Sequence, residues 1–334
     1  MDAKKRILVI GTGGSIAIKS EREATYTKLF SANKLLSFVP SVKRIADIDV
    51  SNLLELGSND MQPKNWIMLA EEIRKQWENY DGFVITHGTD TMHYTSASLS
   101  FMIQNPSKPV VITGSRLAID KPGTDAKRNL INAVKVASSN LNEVVIVFDD
   151  KIIRGSRAKK VAGKDMFTSP NFPLLGKVAD RVVLKHEGRT KSKTKFNTKL
   201  EEKVFLFKVF PGVDPKLLEY LVGIGYKGIV LEAYGAGDLP MQKNHSFVPV
   251  IKYASKHNVP ILLSSQVFYG GVYTQYITIY AEGKILVRAG AIPVGDMLPE
   301  TALVKLMWTL GQTRNPKLVK KLIQAKLSGE LSYL

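Results

Sequence analysis

The chain has no cysteine, which excludes disulfide bonds, zinc–thiolate sites and any amide-cleaving mechanism built on a thiol nucleophile. It also lacks an uncharged apolar stretch long enough to span a bilayer, so a cytoplasmic protein is the expectation. The N-terminal Lys4-Lys-Arg6 precedes an apolar run of only Ile7 to Ile10 that leads straight into glycines, the pattern of a first strand rather than of a signal peptide. His87 and His93 stand in no metal-ligand spacing and read as structural, so no metal site is expected. Acidic residues are scarce beside basic ones: 30 Asp and Glu against 47 Lys and Arg give a formal net charge of +17. Such a balance attracts polyanions whether or not binding them is the function. Much of the excess sits between Lys185 and Lys199, where Glu187 is the only acid. That run reads either as a phosphate-tracking patch for RNA or as a solvated linker. With Phe196 its only aromatic it has no base-stacking pattern, which favours the linker.

What is present is ordinary for a soluble globular protein, and the length suits two domains: 334 residues, 44% hydrophobic and 23% charged. Short apolar runs alternate with turns and amphipathic stretches throughout. Ile7–Ile10, Asp49–Leu56, Phe83–Ile85, Pro109–Thr113 and Glu143–Phe148 read as strands, with helices over Pro63–Tyr80, Thr91–Gln104 and from Asp125. This alternation predicts a parallel sheet flanked by helices, with ligands collected beyond the carboxyl ends of the strands. Ser15, Ser58, Thr89 and Ser115 all follow strands, so one crevice can gather them. A second α/β unit begins with Lys203–Phe210 and ends in a helix predicted over Asp296–Trp308.

Two glycine-rich turns carry the chemistry. Gly11-Thr-Gly-Gly-Ser-Ile-Ala17 is not a dinucleotide fingerprint, because Ile16 stands where a third glycine is needed; its glycines instead bring backbone close to a small ligand and expose Ser15. Gly223-Ile-Gly-Tyr-Lys-Gly228 has the fingerprint spacing but precedes its strand, which disqualifies it. In Gly82-Phe-Val-Ile-Thr-His-Gly-Thr-Asp-Thr-Met92 an apolar strand stops at Gly88, placing Thr89 and Asp90 on the turn before a helix. Unpaired N–H groups at a helix start can hold an oxyanion beside a hydroxyl; the alternative is that Thr89 or Asp90 merely caps the helix.

Thr86-His-Gly-Thr-Asp-Thr-Met92 resembles the second signature of the asparaginase/glutaminase family, bacterial-type amidohydrolases that release ammonia from asparagine, and the archaeal type I enzymes most of all. Gly11–Ala17 resembles the first signature, with Ser15 where the family has a nucleophilic threonine. The resemblance runs from Gly11 to the C-terminal helices and implies a flavodoxin-like α/β N-terminal domain (1–190), a basic linker (191–202) and a smaller α/β C-terminal domain (203–334). It further implies a Thr89–Lys160–Asp90 triad, the lysine coming from Arg157-Ala-Lys-Lys160, and a second group of Ser15 and Tyr26, the tyrosine lying in a lid. Ser58, in Gly57-Ser-Asn-Asp60, together with Ser115 and Asp238, is a candidate for holding substrate.

By resemblance the expected reaction is hydrolysis of L-asparagine, and possibly of L-glutamine, through an acyl-enzyme, without cofactor, in a homo-oligomer (dimer or tetramer). Two rivals stand beside it. Gly114-Ser-Arg116, Asp120–Asp125 and Asp296–Glu300 resemble the glutaminase subunit of an archaeal tRNA-dependent amidotransferase, the one reading that calls for nucleic acid. Those subunits carry an additional N-terminal domain, whereas this sequence begins at the first strand, which weighs towards the asparaginase. The other rival is a non-catalytic amino-acid-binding protein, motivated by serine at position 15.

Overall fold

A computed structural model of the chain describes residues 3–19, 29–163, 165–185, 193–273, 277 and 279–332. The chain divides into two compact units, one of Met1–Ser169 and Pro173–Thr198, the other of Pro170–Phe172 and Lys199–Leu334.

In chain order the first unit holds strands β1 (Arg6–Gly13), β2 (Asp47–Leu56), β3 (Gly82–Thr86), β4 (Ile103–Gln104), β5 (Val110–Thr113), β6 (Val144–Phe148), β7 (Lys151–Arg154), β8 (Lys159–Lys160), β9 (Phe167–Thr168), β10 (Gly176–Val178), β11 (Val182–Leu184) and β12 (Lys195–Phe196). Its α-helices are α1 (Ala32–Ser37), α2 (Pro63–Gln76), α3 (Met92–Met102) and α4 (Ala126–Ala137). Eight strands form one sheet in the order β11-β10-β7-β6-β5-β3-β1-β2. The stretch from β6 to β2 is parallel, and β7, β10 and β11 extend it antiparallel. Numbered among themselves, the five parallel strands run 2-1-3-4-5, the flavodoxin-like order, which reverses direction between β1 and β3. All residues of β3, β5 and β6 are buried, as are those of β1 after Arg6, so these strands read as unbroken apolar runs rather than alternating ones. β2, at the edge, mixes exposed and half-buried residues.

Helix α3 ends at Met102, two residues before the sequence pattern suggests, because Ile103 and Gln104 pair antiparallel with Phe196 and Lys195. That pairing places part of the basic run on the first unit. Phe196 packs edge-on against Trp77 at 5.3 Å, Asn197 N–H donates to the Met102 carbonyl, and Thr198 Oγ1 donates to Glu71 at 2.7 Å.

The second unit is a four-stranded parallel sheet in the order β13 (Val204–Lys208), β14 (Gly228–Ala233), β15 (Ile261–Ser265), β16 (Ala291–Pro293). Helices α5 (Leu217–Gly223), α6 (Val248–Lys256) and α7 (Ala281–Ala289) cover one face, where Leu218, Ile251 and Leu286 join Phe207, Ile229, Leu231 and Leu263 in one buried cluster. Helix α8 (Pro299–Gln312) covers the other, with Leu306 and Leu310 against Gly228. It starts at Pro299 rather than Asp296, since proline is suited to the first helical turn. A last helix, α9 (Pro316–Gln324), leads to a segment held by a buried ion pair: Lys305 Nζ lies 2.5 Å from Glu330 Oε1, both side chains wholly buried. Burial pushes the Glu330 carboxyl up, but Lys305 and the N–H of Leu327 outweigh it and keep the group below its usual range.

Candidate active site

Three turns, after β1, β2 and β3, close on one another at the point where the strand order reverses. Glycine makes the approach possible. A side chain on Gly14 would put its Cβ 2.0 Å from Gly88 N, and one on Gly88 would lie 2.6 Å from Ser58 Oγ. Gly13 and Gly14 also hold φ values of 94° and 77°, in the region that favours glycine. Between the turns lies a pocket of about 400 Å³ lined by Ser15, Ser58, Thr89 and Asp90 together with Glu55, Asn59 and Asp60.

Neither Thr89 nor Asp90 caps α3. The N-cap position is Thr91, whose hydroxyl is turned away to the Ser58 carbonyl at 2.6 Å, so the capping alternative fails. Both side chains are instead met by Lys160, whose Nζ donates to Thr89 Oγ1 at 3.3 Å and to Asp90 Oδ1 at 2.5 Å. β8 delivers the lysine by pairing with β9, Lys160 opposite Phe167. The bond from Lys160 holds the Asp90 carboxyl below its ordinary range, against a smaller opposing effect of burial, and Ser58 adds to the lowering. Ser58 Oγ sits within 3.4 Å of Asp90 Oδ2 and accepts from Asp90 N at 3.2 Å.

Behind the turn, His87 is wholly buried, and that burial lowers its pKa to about 4 despite an opposing bond to the Gly88 carbonyl. The imidazole is therefore neutral near pH 7. A carbonyl can only accept, so Nδ1 carries the proton given to Gly88 O at 2.7 Å, and Nε2 receives the Thr95 hydroxyl at 2.9 Å. His87 thus fixes the main chain just ahead of Thr89, while His93 lies on α3 beyond the turn.

Ser15 opens a short 3-10 turn after β1, and its Oγ donates to the Ser115 carbonyl at 2.7 Å. Ser115 does not line the pocket: it is fully buried, with its own hydroxyl given to the Leu117 carbonyl at 2.5 Å. Tyr26 lies outside the described residues. Asp238 belongs to the second unit, in a tight turn where its main chain exchanges hydrogen bonds with Tyr234 at 3.0 and 2.9 Å. Asn59 and Asp60, which follow Ser58, belong to the Gly57-Ser-Asn-Asp60 turn whose resemblance points to substrate binding, although only Ser58 is singled out from it; Glu55, on the edge strand, reads as a solvated charge and gives no signal in the sequence.

Among the described residues no group of three His, Asp or Glu side chains is placed to hold a metal ion. An ammonium bonded to both a hydroxyl and a carboxylate, beside a second hydroxyl, has the parts that proton transfer and nucleophilic acyl chemistry need.

The sequence profile described as "Asparaginase, N-terminal" matches residues 6–190, and "Glutaminase/Asparaginase C-terminal domain" matches residues 203–323. The chain is 38% identical to the L-asparaginase of Thermococcus kodakarensis, over 98% of this chain and 99% of that one. It is also 38% identical to a glutamyl-tRNA(Gln) amidotransferase subunit from Pyrococcus abyssi, over 98% of this chain and 76% of that one. The solved structure of the thermostable L-asparaginase from T. kodakarensis superposes with a TM-score of 0.91 at 36% identity, covering 98% of this chain and 100% of that one. Fold, pocket-forming turns and both profiles agree: the chain belongs to the asparaginase/glutaminase family.

Proposed function

We propose that the protein is an L-asparaginase, hydrolysing L-asparagine to L-aspartate and ammonia. The observation that carries the reading is the contact of Lys160 Nζ with both Thr89 Oγ1 and Asp90 Oδ1 at a pocket that also holds Ser15 and Ser58. Glu55, Asp60 and Asp90 make the pocket acidic, which suits the ammonium group of a free amino acid, and Asp90, held ionised by Lys160, is its partner. In this reading the Ser58 hydroxyl leaves Asp90 Oδ2, which it meets at 3.4 Å, to donate to the α-carboxylate.

The chemistry follows in two steps. A site hydroxyl, Ser15 or Thr89, forms an ester bond to the side-chain amide carbon; the carbon–nitrogen bond breaks, and the nitrogen leaves as ammonia with the proton the hydroxyl gave up. Water then attacks the ester, releasing aspartate and restoring the hydroxyl. Lys160 is the proton carrier at Thr89, and main-chain N–H groups of the turns after β1 and β3 take the oxyanion. The reading requires no cofactor, and it carries with it a cytoplasmic homo-oligomer, dimer or tetramer.

Relatives named as glutamyl-tRNA(Gln) amidotransferase subunits favour a second reading, a glutaminase that passes ammonia to a tRNA-dependent partner. Ammonia release by the purified chain, with L-asparagine and L-glutamine supplied separately, separates the two. Turnover of asparagine without a partner, abolished by Lys160→Ala in a protein that still folds, is the expected result. Full activity in Lys160→Ala overturns the triad. Silence of the wild type towards both amides, restored by tRNA and a partner protein, establishes the second reading; ligand binding with no ammonia under any condition makes the protein a binding protein.

A further inference from the structure

Ser15 stands where the family has threonine, and the two residues differ in how firmly the hydroxyl is held. Threonine's methyl group restricts rotation about χ1, whereas a serine hydroxyl has three staggered positions open to it. Here a hydrogen bond makes the choice, from Ser15 Oγ to the Ser115 carbonyl at 2.7 Å. The main chain on both sides of that carbonyl is held in place. Asn129 Nδ2 donates to the Gly114 carbonyl at 2.9 Å, and the Asp125 carboxylate accepts the N–H of Arg116 at 3.0 Å and of Leu117 at 3.2 Å. Asp125 also accepts from Asn129 Nδ2 at 3.1 Å and from Arg116 Nη1 at 3.3 Å. The Arg116 guanidinium is anchored in turn by two bonds to Asp149, 2.9 and 2.8 Å, and rests on the Phe148 ring at 5.1 Å. A second contact, Ile119 N–H to the Ile16 carbonyl at 3.3 Å, ties the turn after Ser15 to the same loop.

We propose that Asp125 is a positioning residue for Ser15: by fixing the main chain at residues 115–117 it presents the carbonyl that selects the serine rotamer, supplying from outside the restriction that a β-branched side chain carries within itself. Asp125 is not among the residues lining the pocket, and its side chain is only 11% exposed, so its influence passes through the loop. The inference rests on the amidohydrolase reading for its kinetic consequence but not for its structural one.

The test compares wild type, Asp125→Ala, Ser15→Thr and the double variant for kcat and KM on L-asparagine, with crystal structures of wild type and Asp125→Ala. Asp125→Ala lowers kcat about five- to tenfold, the worth of one hydrogen bond at a reacting group, with KM little changed. In the Ser15→Thr background the same substitution costs less than about twofold, because the methyl group now holds the hydroxyl. The crystal structures give Ser15 one conformer in the wild type and more than one in Asp125→Ala. An equal loss in both backgrounds, or a single unchanged Ser15 conformer in Asp125→Ala, overturns the proposal. Should Asp125→Ala not fold, Asp125→Asn, which keeps one acceptor oxygen, carries the same comparison with a smaller loss that must again vanish beside Thr at position 15. A wild type silent towards both amides overturns the amidohydrolase reading alone, and the Ser15 conformers then decide the inference.

Discussion

Asp90 exposes 62% of its side chain and is held below an ordinary carboxylate chiefly by one neighbour, with burial opposing and Ser58 assisting. Lys160 is that neighbour. A carboxylate whose folded pKa is depressed contributes stability above its unfolded pKa, and that contribution is lost as pH falls through the folded value. Replacing Lys160 by Gln removes the dominant cause of the depression. We expect the Asp90 carboxyl titration, followed by carbon NMR, to move upward towards the ordinary carboxylate range in Lys160→Gln; a midpoint that stays where it is in the wild type removes Lys160 as the cause. At this scale the legible signal was a polar residue placed just after a strand. Ser15, Ser58, Thr89 and Asp90 all sit on such turns, and the structure gathers all four on one pocket. Legibility ended where a side chain's direction mattered. Ser115 follows a strand equally well, but its hydroxyl is consumed within its own loop.

Among elements, the three turns that meet at β1 and β3 are tightly constrained, because backbone touches backbone where side chains would ordinarily stand. Gly14→Ala combines a Cβ 2.0 Å from Gly88 N with a φ of +77°, while Gly163→Ala meets nothing within 4 Å. Gly14→Ala is therefore expected to abolish ammonia release and to lower unfolding stability by roughly 1–3 kcal/mol, with Gly163→Ala matching the wild type in both. Denaturant melts and the ammonia assay check this; a Gly14→Ala enzyme of normal activity would show that the turns can part without harm. The long central strands and their helices could be read from apolar runs and amphipathic stretches. The two-residue strands β4, β8, β9 and β12 could not, since they are too short to carry a periodic pattern and exist only through their pairing, β4 with the distant β12 and β8 with the nearby β9. One consequence is that Lys160 was identifiable by its motif, whereas the pairing with Phe167 that delivers it was not.

At the scale of the whole molecule, a net charge of +17 says little about where charge matters, because Lys305 and Glu330 cancel inside the second unit where composition cannot see them. Lys305 also donates to the carbonyls of Ile323 and Ala325, at 2.7 and 2.6 Å, so one ammonium fastens the end of α9 and the segment after it. Removing it strands a carboxylate in the interior. Lys305→Met is expected to cost roughly 3–5 kcal/mol of stability, and Lys305→Met with Glu330→Leu to recover most of it, since an apolar pair often replaces a buried ion pair without loss. Equilibrium unfolding measures both; equal stability of the single and double variants contradicts the assignment. The same pair constrains how the protein is born. The ribosome makes Lys305 before Glu330, and until the carboxylate emerges, burying the ammonium would leave a charge without its counterion. Docking of α8 into its final place therefore waits on the segment after α9, and a chain truncated after Lys326 should display a second unit that a protease cuts readily and a chaperone holds.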